Sequence, residues 1–279
     1  MAQGLRAGLL VNLATIVMVL FSIVAASAQT PTLREINSIN GFDEAMQGIA
    51  SSLAKIPPEA EAISPPNFGE AWALATDGIL DTKVLLASIE EKMAGKLSPS
   101  QLQELLVFYD SPFGRRITRL EIEAGREEDE EKKAEGTRIL AEVRENDPER
   151  YRLYMQMIDD LAIMETSEAI AMNAGYAMLV GMFAAAQSPV APSEQLIMQL
   201  LQGQRPKIRE AIAEAVLSST AYGYRELTLE DLKRYTEFLA SGTANRYYRE
   251  MLSAMDATLS QTARTLGHRL AEALGQRKA

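Results

Sequence analysis

The sequence predicts an all-α protein, a multi-helix bundle of two related helical modules around a central apolar helix. Three observations carry this expectation. Apolar residues recur at helical spacing along most of the 279 residues. No stretch alternates apolar and polar in the manner of a half-buried strand. Starts of the type cap-then-proline recur at Ser98-Pro99, Ser111-Pro112 and Asp147-Pro148, where the cap oxygen takes an orphan amide and proline fits the first helical position.

Residues 1–28 read as a signal peptide. Arg6 supplies a positive start, an apolar run extends to Val24, and Ala26-Ser27-Ala28 offers a small-x-small cleavage site between Ala28 and Gln29. The competing reading is an uncleaved anchor, because the run approaches the ~20 residues that span a bilayer. Residues 29–64 read as an N-terminal helix and linker. Phe42, Met46, Ile49 and Leu53 share one helical face, and Pro57-Pro58 and Pro65-Pro66 interrupt the chain beyond it.

Residues 65–146 read as the first module. A helix is expected from Phe68 to Ala94, with Gly78 as a weak point. After the capped stretch a long charged helix runs to Asn146, and its segment EIEAGREEDEEKKAEG is expected to be a solvated face of mixed sign. Residues 147–190 form a central helix pair or one long helix. Its uncharged part, Ala169–Ala186, is expected to lie buried between the modules. Residues 191–279 form the second module, with helices over 193–201, 205–219 and 229–239 and from 244 onward.

The stretch LSPSQLQELLVFYDSPFGRR, Leu97 to Arg116, is the most specified in the chain. Ser98 is an N-cap, Pro99 comes next, and Gln101 stands where a capping box needs its return hydrogen bond. Leu97 and Leu102 make a hydrophobic staple across the cap. Ser111 with Pro112 then starts a second helix, and Gly114 in its first turn lets another helix come close. A weaker copy lies 130 residues on: Leu97, Leu102, Phe108, Ser111, Arg116 and Arg119 match Leu227, Leu232, Phe238, Ser241, Arg246 and Arg249. Thr228 replaces Ser98 and Asp231 replaces Gln101, while Gly242 and Ala244 stand for Pro112 and Gly114.

Leu97, Ser98, Pro99, Leu102, Phe108, Tyr109, Ser111, Pro112, Gly114 and Arg116 resemble the signature of a bacterial envelope family, domain of unknown function 2059. Leu227, Thr228, Leu232, Phe238, Ser241 and Arg246 carry the second match. The resemblance implies a small helical, periplasmic protein, and it brings no catalytic residues with it.

Composition narrows the chemistry. A net charge of −10 repels phosphate backbones, so nucleic acid is not an expected partner. Without cysteine there is no disulfide framework and no thiol nucleophile. His268 is the only histidine and stands outside any nucleophile motif, so no catalytic residue is expected. No metal site or cofactor is expected either. The methionines at 155, 157, 164, 172, 178, 182 and 198 could offer soft ligands to Cu(I), but at helical spacing they read as core fillers. Arg115, Arg116 and Arg119 with Arg246 and Arg249 would make an anion patch if both copies faced one groove.

The sequence therefore leads to an exported, periplasmic or secreted protein of the cell envelope that works by interaction, with an envelope protein or with itself. One alternative is a carboxylate-dependent enzyme acting on cell wall or a small solute. Another is a membrane-associated protein inserting residues 169–186. Stable insertion of the mature chain is not expected, since that run is alanine-rich and lacks cationic anchors.

Overall fold

The computed structural model describes residues 31–55, 67–125, 130–186 and 193–275, with side chains at 52, 130 and 181–186 excepted. The signal segment, its Ala28–Gln29 cleavage point and the prolines at 57, 58, 65, 66, 189 and 192 lie outside the described residues. Within the unit Thr32–Ala279 the described residues form helices α1 (Leu33–Ile39), α2 (Phe42–Ala54), α3 (Phe68–Thr76), α4 (Thr82–Met93), α5 (Pro99–Asp110) and α6 (Pro112–Gly125). They continue with α7 (Glu130–Asn146), α8 (Pro148–Asp160), α9 (Ile163–Ala186), α10 (Glu194–Gly223), α11 (Leu229–Ala240) and α12 (Gly242–Gly275). The fold is all-α, and no strand occurs among the described residues.

Both capped stretches form as their sequences dictate. Ser98 Oγ accepts from the Gln101 amide (3.3 Å) while Gln101 Oε1 accepts from the Ser98 amide (3.0 Å). Thr228 and Asp231 repeat this reciprocal pair at 3.1 and 3.3 Å. At the corner after each helix Ser111 Oγ accepts from the Gly114 amide (3.0 Å), and Ser241 Oγ accepts from the Ala244 amide (3.3 Å). The backbone angles at the caps agree closely: ψ is 160° at Ser98 and 163° at Thr228, then 155° at Ser111 and 148° at Ser241. Gly114 is needed where it stands, since a Cβ there would overlap the Phe108 carbonyl.

The two corners meet each other. Phe108 and Phe238, equivalent positions, stack face to face with centroids 3.4 Å apart and planes 3° from parallel. Arg116 donates to the Glu226 carbonyl (3.0 Å), and its equivalent Arg246 donates to the Lys96 carbonyl (2.9 Å), 130 residues from Glu226. Arg234 lies over the Phe113 ring at 4.2 Å, and in the equivalent places Thr243 donates to Glu104. Contacts that recur with the partners exchanged define a local two-fold axis, as in an isologous interface. It passes between the stacked Phe108 and Phe238 rings.

Two core clusters flank this axis. One gathers Ile117 and Leu120 of α6, Leu140 of α7, Tyr154 and Ile158 of α8, and Leu232, Tyr235 and Leu239 of α11. The other gathers Ile36, Met46, Leu85, Ile89, Leu105 and Tyr109 with Tyr247 and Met251 of α12. Each fully buried aliphatic side chain contributes about 1.5–3 kcal/mol relative to exposure. Phe108 and Phe238 touch both clusters and tie them together.

Several expectations need correction. The helix expected over Phe68–Ala94 is two, α3 and α4, because Gly78 adopts φ +73° in the turn between them. The helices expected over 193–201 and 205–219 are one, α10, which runs through Pro206. Proline removes only one intrahelical hydrogen bond, and packing of α10 against α7 and α9 outweighs that loss. The charged helix expected to reach Asn146 is helical on both sides, as α6 and α7, of residues 126–129, which lie outside the described residues. Of the two readings of the central segment the structure has the pair, α8 and α9, joined by Ala162 at φ +51°.

The largest correction concerns the apolar run Ala169–Ala186 in α9. Its described side chains, at 169–180, are half-buried or exposed except for the buried Ala177, and the helix packs along α12 and α10. Asn173 donates to Asp256 and Tyr176 to Glu194, both at exposed positions. Its small residues suit close pairing with one helix, but they offer too little side-chain volume to fill a centre. Among the described residues no helix is long and apolar enough to cross a membrane.

Candidate functional site: a cavity with one carboxyl and a ring of tyrosines

A cavity of about 860 Å³ opens between α2, α6, α8, α11 and α12. Its walls are mostly apolar, including Ile122, Ile158, Leu161, Met251 and Met255. Exposed residues of α2, Glu44, Gln47 and Ser51, mark its rim. Native interiors hold few voids larger than a water molecule, and ligand sites occupy roughly 300–1,000 Å³. The space is therefore of ligand size.

Its polar centre is Glu121, near the end of α6. Glu121 Oε1 accepts from the Tyr224 hydroxyl at 2.6 Å and the Tyr235 hydroxyl at 2.7 Å. Close by, the Tyr109 and Tyr248 hydroxyls share a 2.6 Å hydrogen bond. Tyr247 accepts from Asn40 Nδ2 (2.6 Å) and donates to Oδ1 of the buried Asn37 (3.0 Å).

Each of these groups is held by a local reason. Tyr224 is the C-cap of α10, and the turn after it is clipped by Arg150, which donates to the Tyr224 carbonyl (3.4 Å) and the Leu227 carbonyl (2.8 Å). Arg150 is itself fixed by Asp147, the N-cap of α8. Tyr235 lies on the buried face of α11. The α1–α2 turn comes down on Ile122 because Gly41 adopts φ +80°, and a Cβ there would sit 2.8 Å from Ile122. That contact sets the wall beside Glu121.

Burial pushes the Glu121 carboxyl above its ordinary value, and the two phenol donors only partly oppose this. Burial likewise raises Tyr109, Tyr224, Tyr235, Tyr247 and Tyr248, with the Glu121 charge adding to the shift of all but Tyr247. The phenols stay protonated, which leaves Glu121 as the acid of this cluster.

The residues singled out from sequence take other places. Leu97 and Leu102 pack on the second core cluster, Leu227 and Leu232 are buried in the first, and Pro99 and Pro112 open α5 and α6. Tyr109 is the one motif residue that joins the tyrosine cluster. Arg116 is committed to Asp231 (3.0 Å) and Glu226, Arg246 to Lys96, and Arg115 to Asp110; Arg116 and Arg246 clasp the two corners, while Arg115, Arg116 and Arg119 border one shallow pocket that Arg246 and Arg249 do not line. His268 is half-exposed beside Glu272, one turn along α12. Met157 is buried, and Met155, Met164 and Met178 pack on the cores, while Met198 is exposed. Among the described residues no three of His, Cys, Asp or Glu cluster to hold a metal ion.

Glu121 itself was concealed in a run that reads as solvated. A signal existed: it comes after Phe113, Ile117 and Leu120 on the apolar face of its helix, where a carboxylate is out of place. The fold and the site together define an all-α protein with an open, mostly apolar cavity around Glu121. No family model, curated protein or solved structure matches the chain.

Proposed function

We propose that this is an exported helical protein of the cell envelope that binds a small, largely apolar molecule and performs no chemistry on it. The cavity around Glu121 carries the reading. It has the size and lining of a ligand site, and among the described residues its lining pairs Glu121 with no histidine, thiol or second buried carboxyl. The export half rests on the signal pattern in residues 1–28. The likeness of the two corners to domain of unknown function 2059 belongs to the same proposal, supported by their matching caps. Interaction with an envelope partner or with a second copy would be part of the same role.

Titration of the mature protein with N-phenyl-1-naphthylamine, an uncharged probe that fluoresces in apolar surroundings, tests the reading. Saturable binding of one probe per chain is expected. Fluorescence that never saturates within the probe's solubility rejects it.

The raised carboxyl favours a second reading, a carboxylate-dependent enzyme with Glu121 as general acid. Glycoside hydrolysis would need a second carboxylate across the scissile bond, and Glu44 is exposed on the rim. Release of soluble fragments from purified cell wall, abolished by Glu121→Gln, would establish this reading over the first.

A further inference from the structure

We infer that the cavity selects an organic cation, a ligand with an apolar body and an ammonium head seated between Glu121 and the tyrosine rings. The inference rests on the cavity being a binding site and names the chemistry of its occupant.

Most donors of the cluster are already committed. The Tyr224 and Tyr235 protons are both spent on Glu121 Oε1, and the Tyr247 proton on Asn37. Tyr109 and Tyr248 share one bond, which leaves a single phenol proton between them. Glu121 Oε2 accepts from no side chain among the described residues. Asn37 Nδ2 and Thr118 Oγ1 are buried without a partner but do not line the cavity, so the open capacity of the lining is chiefly that of an acceptor, and it calls for a ligand that brings a donor or a positive charge.

The rings point the same way. Tyr224 and Tyr235 meet edge to face with centroids 5.7 Å apart and planes at 71°. Tyr247 and Tyr248 do so at 5.1 Å and 73°. All four line the cavity. Tyr235 and Tyr247 are each 1 % exposed, so Tyr224 and Tyr248, which are half-buried, are the rings that can meet an alkylated ammonium beside the carboxylate. An anionic head would meet the Glu121 charge instead. Lys132, which lies on the wall, already donates to the Glu123 carbonyl (3.3 Å). The chain's net charge of −10 also draws cations toward it. Ile122, Ile158 and Met255 supply the surface for the apolar body.

The test compares three eight-carbon probes by calorimetry on the mature protein: octyltrimethylammonium, octan-1-ol and octanoate. The ammonium is expected to bind about tenfold more tightly than the alcohol, the ratio that a partly desolvated cation–π contact with a carboxylate supports. Octanoate should bind more weakly than either. Glu121→Gln should remove most of the ammonium's advantage over the alcohol. The comparison on the unsubstituted protein decides the matter even where that variant does not fold. Equal binding of ammonium and alcohol, or tightest binding of octanoate, overturns the cation preference and leaves the cavity reading standing. Binding of none of the three overturns both.

Discussion

The corner at Leu97–Glu121 and the corner at Leu227–Met251 share their caps, their turn and their reciprocal contacts, yet only part of each is symmetric. Equivalent positions that match, such as Phe108 with Phe238 and Arg116 with Arg246, lie on the local axis or clasp across it. Equivalent positions that differ make the cavity's polar centre. Glu121 stands opposite Met251, Tyr235 opposite Leu105, Tyr109 opposite Leu239, and Tyr248 opposite Thr118. Symmetry supplies the frame, and departures from it supply the chemistry. A face-to-face ring pair is the arrangement the ring quadrupoles favour least, so the frame is held by the burial around the stack more than by the stack.

The largest break in this comparison should come at the turn itself. Gly114→Ala forces a Cβ into the Phe108 carbonyl and should cost about 3 kcal/mol, the upper range for overpacking. Ala244→Gly, the equivalent change reversed, adds no atom and should cost about 1 kcal/mol, the helix penalty of glycine. Urea denaturation of both variants checks the ratio, and similar losses would mean that the two corners are equally tight.

A smaller effect should separate the polar centre from its apolar counterpart. Tyr235→Phe removes one donor from Glu121 and should destabilise by about 2 kcal/mol near neutral pH, as for a hydrogen bond to a charged group. The pH dependence is set by the direction of the Glu121 shift. A carboxyl raised on folding binds its proton more tightly in the native state, so its contribution is fully present below the unfolded value of 4.5 and is lost as pH rises through the native value. Stability curves from pH 4.5 upward should therefore fall less in Glu121→Gln than in the unsubstituted protein. Parallel curves would show that Glu121 is solvated.

The caps should respond alike. Ser98→Ala and Thr228→Ala should each cost ~1 kcal/mol, since each loses one half of a capping box. A twofold difference in thermal shift would show that the second cap is less committed. The smallest effect is expected at the clasps. Arg116→Ala should cost somewhat more than Arg246→Ala, both under about 1 kcal/mol, because Arg116 adds a partly exposed pair with Asp231 to its carbonyl contact. High salt should narrow that gap.

The features legible in the sequence were those set within a few residues along the chain. The capping boxes of Ser98 and Thr228, the corner serines and the all-α class all depend on contacts at spacings of two to five, which any solvent-exposed helix end must satisfy locally. The break at Gly78 was marked too, though as a weak point and not as the end of a helix. The fusion of two expected helices across Pro206 was hidden, because a proline reads as a stop until packing on both sides outweighs one lost hydrogen bond.

By itself, then, the sequence determined that this chain is helical, where several of its helices begin, and that one capped corner occurs twice. The tertiary structure alone decided which faces meet. Glu121 leaves water only because Tyr224 and Tyr235, more than a hundred residues away, fold over it. The apolar run in α9 stays at the edge because larger side chains already fill the two cores. A helix's own pattern states which face avoids water, and the cover over that face depends on partners that share no local sequence with it.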